Sequence, residues 1–587
     1  MDLKKFFAEL QRRNVYKTAV AYGVCGWLLV EVATQVFPVF EVPNWVVRWV
    51  VILLLLGFPI AVLLAWMFEL TAEGLKRTDE VPPAQSATGQ TGRKLDFIII
   101  AVLLAFIAVL AFQRYGRPAA VAAPALPETS IAVLPFADLS ASRDQAYISD
   151  GLMEQIINAL GRMHDLSVVA RTSALAFRDK GVDIREVGRV LGVNHVLEGS
   201  VRRGRGKVRI DARLINVTTG YQLWSESYDS SEQDFLVLER DVAQKVARAL
   251  EAELHLRLNE SERESPAYDP VAYDLYLRGN YLLNKRTVES MHQAQALFQT
   301  AVNKDPQFAL GYIGMADADI LLGKIGDISG DQAATRAWPD VTKALQLDPQ
   351  LAEGYVLRAI LLTDFEWNWA AAEVDFQKAL SLNPNSAAAH HWFARHLAQL
   401  GRFEHAVKQI EAAQTLDPLS AMIRVTKAKI FFQAQQYERG IRPCREALEL
   451  EPEYAPAFSI LGLIYAHLGQ ENLAVESMKK YVDLSEHSGW AELELAYVLA
   501  VAGKRAEAEK IVQDVTTRTK DYSPYDMAAI CSVWHDFDGA IRWLEVAINR
   551  RTVDVVSIRV EPRLNDVRSD PRFRGLVERM VPRRGTE

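Results

Sequence analysis

The feature that most limits what this chain can fold into is a recurring dipeptide. Asp305-Pro306, Asp348-Pro349, Asn383-Pro384, Asp417-Pro418 and Glu451-Pro452 follow one another at spacings of 43, 35, 34 and 34 residues. Proline has no backbone N–H to give a helix and clashes with the preceding turn, so each position closes one helix and lets another begin. Each interval holds two amphipathic helical patterns, which makes the period a helix–turn–helix unit. Such a unit cannot bury its apolar face alone and must stack on copies of itself.

The positions inside the period agree. Small residues recur where paired helices must approach closely: Ala294, Ala301, Ala372, Ala379, Ala406, Ala413, Ala447, Ala474 and Ala508. Phe298, Phe376, Ile410, Cys444 and Met478 fill the positions between them, so Cys444 reads as a core side chain. A 34-residue helical hairpin with this pattern resembles the tetratricopeptide repeat. Counting outward predicts about eight repeats over 269–550, with GKIGDISGDQAAT lengthening the first interval. Capping helices are expected over 551–587. The resemblance implies an all-α solenoid whose first helices line a concave groove for a protein or peptide.

Within one unit, AAAHHWFARHLAQL (387–400) carries His390, His391 and His396. On a helix these are separated by roughly 100–140°, whereas two metal ligands on one helix need i,i+4 spacing. No metal site is expected there, and no cofactor elsewhere. His390 falls in line with Phe393 and Leu397, toward the partner helix. His391 falls in line with Arg395 and Gln399, the face that lines the groove in the repeat family. The same register puts Lys429, Phe432 and Gln433 in the groove, with Trp490 and Tyr497 two units further on. Positive and aromatic groups on such a surface suit an extended peptide with some negative charge. The plainer alternative is solvated surface or local packing.

Upstream, residues 129–258 read as a small α/β domain. SIAVLPFADLS and LSVVAR have strand character; YISDGLMEQIINALGRM and REVGRVLGV have helical spacing. A β-meander follows from His195, and DFLVLERDVAQKVARALEAEL closes the domain as a helix. On IAVLPFADLS, DGLMEQI, VVARTS, VLEGSVRR and LWSESYD this run resembles the TolB amino-terminal type of domain, close to the FlgO and CsgG class. Relatives of that type often carry an adenylate cyclase or winged-helix domain before a membrane anchor. Only 17 residues precede the first apolar run here, so neither activity is carried over. Arg202, Arg203, Arg205, Lys207 and Arg209 form a basic cluster that reads as a solvated hairpin, since no aromatic platform accompanies it. Asp150-Gly151, with Glu154 nearby, reads as helix-start capping rather than catalysis.

The first 115 residues hold three apolar runs, near 18–37, 45–66 and 97–112, each close to the about 17–25 residues that cross a bilayer. They are read as three transmembrane helices within 18–112, after a cytoplasmic segment 1–17 and before a linker over 113–128. Lys4, Lys5, Arg12, Arg13 and Lys17, then Lys76, Arg77, Arg93 and Lys94, favour cytoplasmic flanks by the positive-inside rule. The repeats are then expected in the periplasm of a bacterial inner-membrane protein that meets lipid through those helices. Glu31 and Arg48 are expected to pair within the membrane.

The fold class expected is therefore multidomain: transmembrane α-helices, a small α/β domain and an all-α repeat solenoid. A net charge of −8 and three cysteines among 587 residues give no reason to expect nucleic-acid binding or a disulfide framework. No catalytic residue is expected. The function expected is a non-enzymatic, membrane-anchored adaptor that binds a protein or peptide. The alternative is a transmembrane component relaying ligand binding to a cytoplasmic partner.

Overall fold

The computed structural model describes residues 129–139, 146–231 apart from 179, 205 and 206, 242–250, and 268–580 apart from 326, 520 and 521, with scattered residues between 19 and 77. The chain divides into two units, Met1–Pro124 and Ala125–Glu587.

In the first unit, β1 (Phe68–Thr71) and β2 (Gly74–Arg77) form an antiparallel hairpin with Phe68 opposite Arg77. The Tyr22 hydroxyl donates to the Leu54 carbonyl at 3.0 Å. The expected transmembrane fold class is corrected here. Among the described residues no helix is long and apolar enough to cross a membrane. Apolar composition meets only half of the requirement for a span; about 20 uninterrupted helical residues are the other half. The inner-membrane placement and the lipid partner are withdrawn with it. Most of the three apolar runs, with Glu31 and Arg48, lies outside the described residues. What the chain has is a mainly helical solenoid joined to a small sheet-bearing domain.

In that domain, β3 (Ser130–Val133) lies between β5 (Ser167–Val168) and β6 (His195–Gly204), parallel to both. The short β4 (Ala137–Asp138) also pairs with β6. From β6 the sheet runs on as an antiparallel meander through β7 (Lys207–Asn216) to β8 (Gln222–Ser231). Helix α1 (Ala146–Gly161) covers it with Leu152, Ile156 and Leu160, all fully buried. After the short α2 (Arg171–Leu175), Asp183 caps α3 (Ile184–Leu191) by accepting from the Arg185 N–H, and Gly192 ends it at φ 69. Of the basic cluster, Arg202 and Arg203 lie on β6 and Lys207 and Arg209 on β7, where Arg209 pairs with Asp211 at 3.2 Å; Arg205 lies outside the described residues. Asp150 is not a cap: it lies inside α1, buried, and pairs with Arg171 at 3.1 Å and with Arg178.

Eight helix pairs follow among the described residues. They are α4 (Pro270–Leu283) with α5 (Val288–Lys304), α6 (Ala309–Lys324) with α7 (Gly330–Leu347), and α8 (Ala352–Ile360) with α9 (Trp369–Leu382). Then come α10 (Ala387–Gln399) with α11 (Phe403–Leu416), α12 (Ala421–Gln433) with α13 (Tyr437–Leu450), and α14 (Ala455–His467) with α15 (Glu471–Leu484). The last are α16 (Gly489–Val501) with α17 (Arg505–Arg518), and α18 (Pro524–Val533) with α19 (Phe537–Asn549). The recurring acid or amide makes the turn between pairs: Asp305, Asp348 and Asn383 accept from the backbone N–H two residues on, at 2.9–3.1 Å. Two of these turns also hold the sheet domain. Asn385 donates to the Gly161 and Met163 carbonyls and accepts from the Val168 N–H, while Asp417 accepts from the buried Ser173 hydroxyl.

Close helix approach sets the packing. Phe298 of α5 is fully buried between two glycines, Gly279 of its own pair and Gly314 of the next. A Cβ on Gly314 would lie 2.6 Å from the Phe298 ring. Alanine is the better helix former by about 1 kcal/mol, but overpacking a fixed ring costs about 1–3 kcal/mol. Gly314→Ala is expected to lower stability by roughly 1 kcal/mol net, read as an earlier thermal midpoint by circular dichroism. An unchanged or later midpoint would contradict this packing.

Candidate functional site

The first helices of consecutive pairs stack on one another and build the inner face of the solenoid. Across that face runs the chain's own carboxyl-terminal segment. After α19 it forms three short 3-10 turns, Val553–Ser557, Pro562–Leu564 and Val567–Ser569, before helix α20 (Pro571–Glu578). Capping helices were expected throughout this stretch. Pro562 and the lack of an apolar period leave most of it to side-chain anchors instead.

The anchors span pairs three to eight. Arg551 donates to the Phe365 carbonyl at 2.8 Å and stacks on Trp367; Arg559 stacks on Trp369. Gln433 donates to the Ser557 hydroxyl at 3.4 Å. Val555, Val556, Ile558 and Leu564 enter the same core as Phe432 and Tyr497. Arg563, 8% exposed, pairs with Asp526 of α18 at 2.7 Å and with Glu561 at 3.1 Å, and its guanidinium lies 5.8 Å from both the Tyr497 and Tyr525 rings. Beside it Ser459 donates to Glu494 at 2.6 Å. Burial, then neighbouring Asp526, holds the Glu494 carboxyl well above its usual range, with Arg563 and Lys429 opposing.

A second polar cluster lies at pairs two to four. Helix α8 passes into a π-turn, Leu361–Phe365, an irregularity that recurs at functional sites. The turn presents Thr363 and Asp364. Lys324 of α6 pairs with buried Asp364, and Lys324 and Arg395 both lie against the Trp392 ring, 4.6 and 4.5 Å from its centre. Thr363, Asp364, Arg395, His396 and Gln399 line a cavity of about 10 Å³, comparable to one water molecule. His396 Nε2 and Gln399 Oε1, both on that lining, are buried without a hydrogen-bond partner.

The three histidines point to three neighbours. His390 meets Gln409 of its own pair and the Pro384 carbonyl; His391 meets Thr426 of the next pair at 2.9 Å; His396 meets Thr363 of the preceding one at 3.0 Å. No group of three metal-binding side chains occurs among the described residues. Of the residues placed in the groove from sequence, Arg395 and Lys429 are half-buried and Trp490 is 40% exposed. His391, Phe432, Gln433 and Tyr497 are buried, the last three beneath or beside the carboxyl-terminal segment. Sequence reasoning missed Lys324, Asp364, Glu494, Asp526 and Arg563. A charge repeated at the groove register would have marked Asp526; nothing local marks the burial of Arg563, whose partner Asp526 is distant in sequence.

Comparison with known proteins bears on the repeats. The tetratricopeptide repeat family matches residues 455–488, the sixth helix pair. The chain is 36% identical over 208 residues to the protein named putative adenylate cyclase 3 of Rhizobium meliloti, covering 35% of each chain. It thus spans about a third of that relative's length. It is 23% identical over 390 residues to the transcriptional regulator HilA of Salmonella typhimurium, covering 65% of this chain and 68% of that one. Among solved structures it is similar to YrrB, described as a tetratricopeptide-repeat protein with an unusual peptide-binding site. There the TM-score is 0.24 and the identity 21%, over 32% of this chain and 91% of that one. The class defined by the fold is a protein built on tetratricopeptide repeats. Proteins of that class bind protein or peptide partners and are generally non-catalytic scaffolds, although one relative bears a cyclase name.

Burial gives the face a pH dependence. It lowers the His391 pKa to about 3, helped by nearby Arg395 and Lys324, and lowers His396 and His467 to about 4. A histidine lowered in the folded state stabilises above its unfolded value near 6.5, and that stability is lost as pH falls toward the folded value. Between pH 7 and 4.5 His391→Gln should lose less stability than the unmodified chain, by on the order of 2 kcal/mol, measured as urea midpoints. Equal losses would contradict the burial of His391.

Proposed function

We propose that this chain is a non-enzymatic adaptor that captures a protein or peptide on the inner face of its repeats. The observation that carries this reading is that a polypeptide segment, residues 551–569, wound in short 3-10 turns, already lies on that face, held by side-chain anchors over six helix pairs. On this reading Arg395, Lys429 and Trp490 meet the partner, while His391, Phe432, Gln433 and Tyr497 form the floor beneath it. No catalytic residue, metal or cofactor is assigned. The sheet domain is read as a TolB amino-terminal or FlgO-like module, supported by its order of strands, helices and meander. Its part is to brace pairs four and five through Asn385 and Asp417. The relay reading depended on transmembrane helices and is not carried forward.

Phe432 is too buried to test the face, because its truncation would cost about 3–5 kcal/mol of folding energy. Charge reversal at half-buried positions is cleaner. Peptides selected from a random library on the full chain should bind Arg395→Glu and Lys429→Glu at least about tenfold more weakly, a loss of roughly 1.4 kcal/mol, with the circular dichroism spectrum unchanged. Selected peptides that bind both variants as well as the parent would place recognition elsewhere and end this reading.

A further inference from the structure

The inner face carries charge of both signs, and segment 551–569 meets its acidic end with an arginine. Toward pairs two to four Lys324 and Arg395 lie beside Trp392, with Lys324 paired to the buried Asp364. Toward pairs seven and eight the face is acidic, with Asp526 and Glu494, and there the segment inserts Arg563 between two tyrosine rings. Asp526 receives Nη1 of that guanidinium while Glu561 receives Nε. A planar fork with several directed donors suits this arrangement and an ammonium does not.

A segment whose only task was to cover the last repeat would gain more from apolar side chains. Burying Arg563, Glu561 and Asp526 carries a desolvation cost that a hydrophobic replacement avoids. The segment is wound in three short 3-10 turns and not in a continuous helix. We propose that the inner face recognises a peptide that carries an arginine behind a short apolar run, and that residues 551–569 are its resident, displaceable occupant. This rests on the peptide-binding reading above and specifies its ligand. A tethered occupant competes at an effective concentration of about millimolar, so a partner must either outbind it or meet the chain when the segment is released.

The test uses full-length chain and a fluorescent peptide of sequence RTVDVVSIRVEPRLNDVRS, residues 551–569. Arg563→Ala removes the resident anchor and leaves Asp526 and Glu494 in place. The peptide should bind Arg563→Ala at least about tenfold more tightly than the unmodified chain. The gain should vanish when alanine replaces the peptide's own arginine corresponding to Arg563, and in the double variant Arg563→Ala/Asp526→Asn. Equal binding to the unmodified chain and to a folded Arg563→Ala variant would overturn the proposal. If that variant fails to fold, hydrogen exchange on the unmodified chain decides. Faster exchange over 553–569 than over helices α14 and α16 supports a displaceable occupant; exchange as slow as theirs overturns it. Library peptides that depend on Arg395, alongside no response to the 551–569 peptide, would end this inference and leave the reading of the face intact.

Discussion

Everything in the solenoid depends on how closely two helices can approach. Each pair meets across a small residue, and one large side chain from the second helix fills the gap left on both sides. Phe298 between Gly279 and Gly314 is the clearest case; Met478 against Gly462 repeats it in the sixth pair. That approach sets the distance between units and therefore the inner face built from their first helices. A unit so made has apolar surface on both sides, so the array must be closed at its end. Here the closing element is not laid on the end alone but is drawn back across the inner face to the third pair.

This return path explains a distribution of charge that packing alone does not. Arg563 lies in the interior with Asp526 and Glu561, and removing the arginine would leave two buried carboxylates without their cation. The opposite end is held differently, by arginine side chains stacked on Trp367 and Trp369 at the turn after the π-helix. Between the two ends Val555, Val556 and Ile558 enter the core, beside the Gln433–Ser557 hydrogen bond. Charged ends and an apolar middle are how peptide grooves combine register with affinity.

Much of the fold was legible because the repeat writes itself in local chemistry. The Asp/Asn-Pro turns, the alanines and the large residues between them depend only on near neighbours. The angular separation of the three histidines on α10 sends each to a different neighbour. The inner-face residues were legible only as a helical stripe. What covers that stripe comes from residues more than a hundred positions away, as between Gln433 and Ser557, and no local pattern encodes such a contact. The π-turn that presents Asp364 was hidden for a related reason: it closes α8, so no helical residues follow it to show a shifted apolar register. For the apolar runs of the first 115 residues composition was legible, but among the described residues no helix is long and apolar enough to cross a membrane.

The most direct measurement asks whether the carboxyl-terminal segment occupies the inner face in solution. Cysteines placed at Gln433 and Ser557 in the full chain would be treated with a short bismaleimide, with the unsubstituted chain as control. Rapid joining of the two positions within one molecule, found as a single linked peptide pair after digestion, is the predicted result. Two cysteines modified separately, with no linked pair in a folded protein, would mean that the segment lies elsewhere and that the inner face is not closed by its own chain.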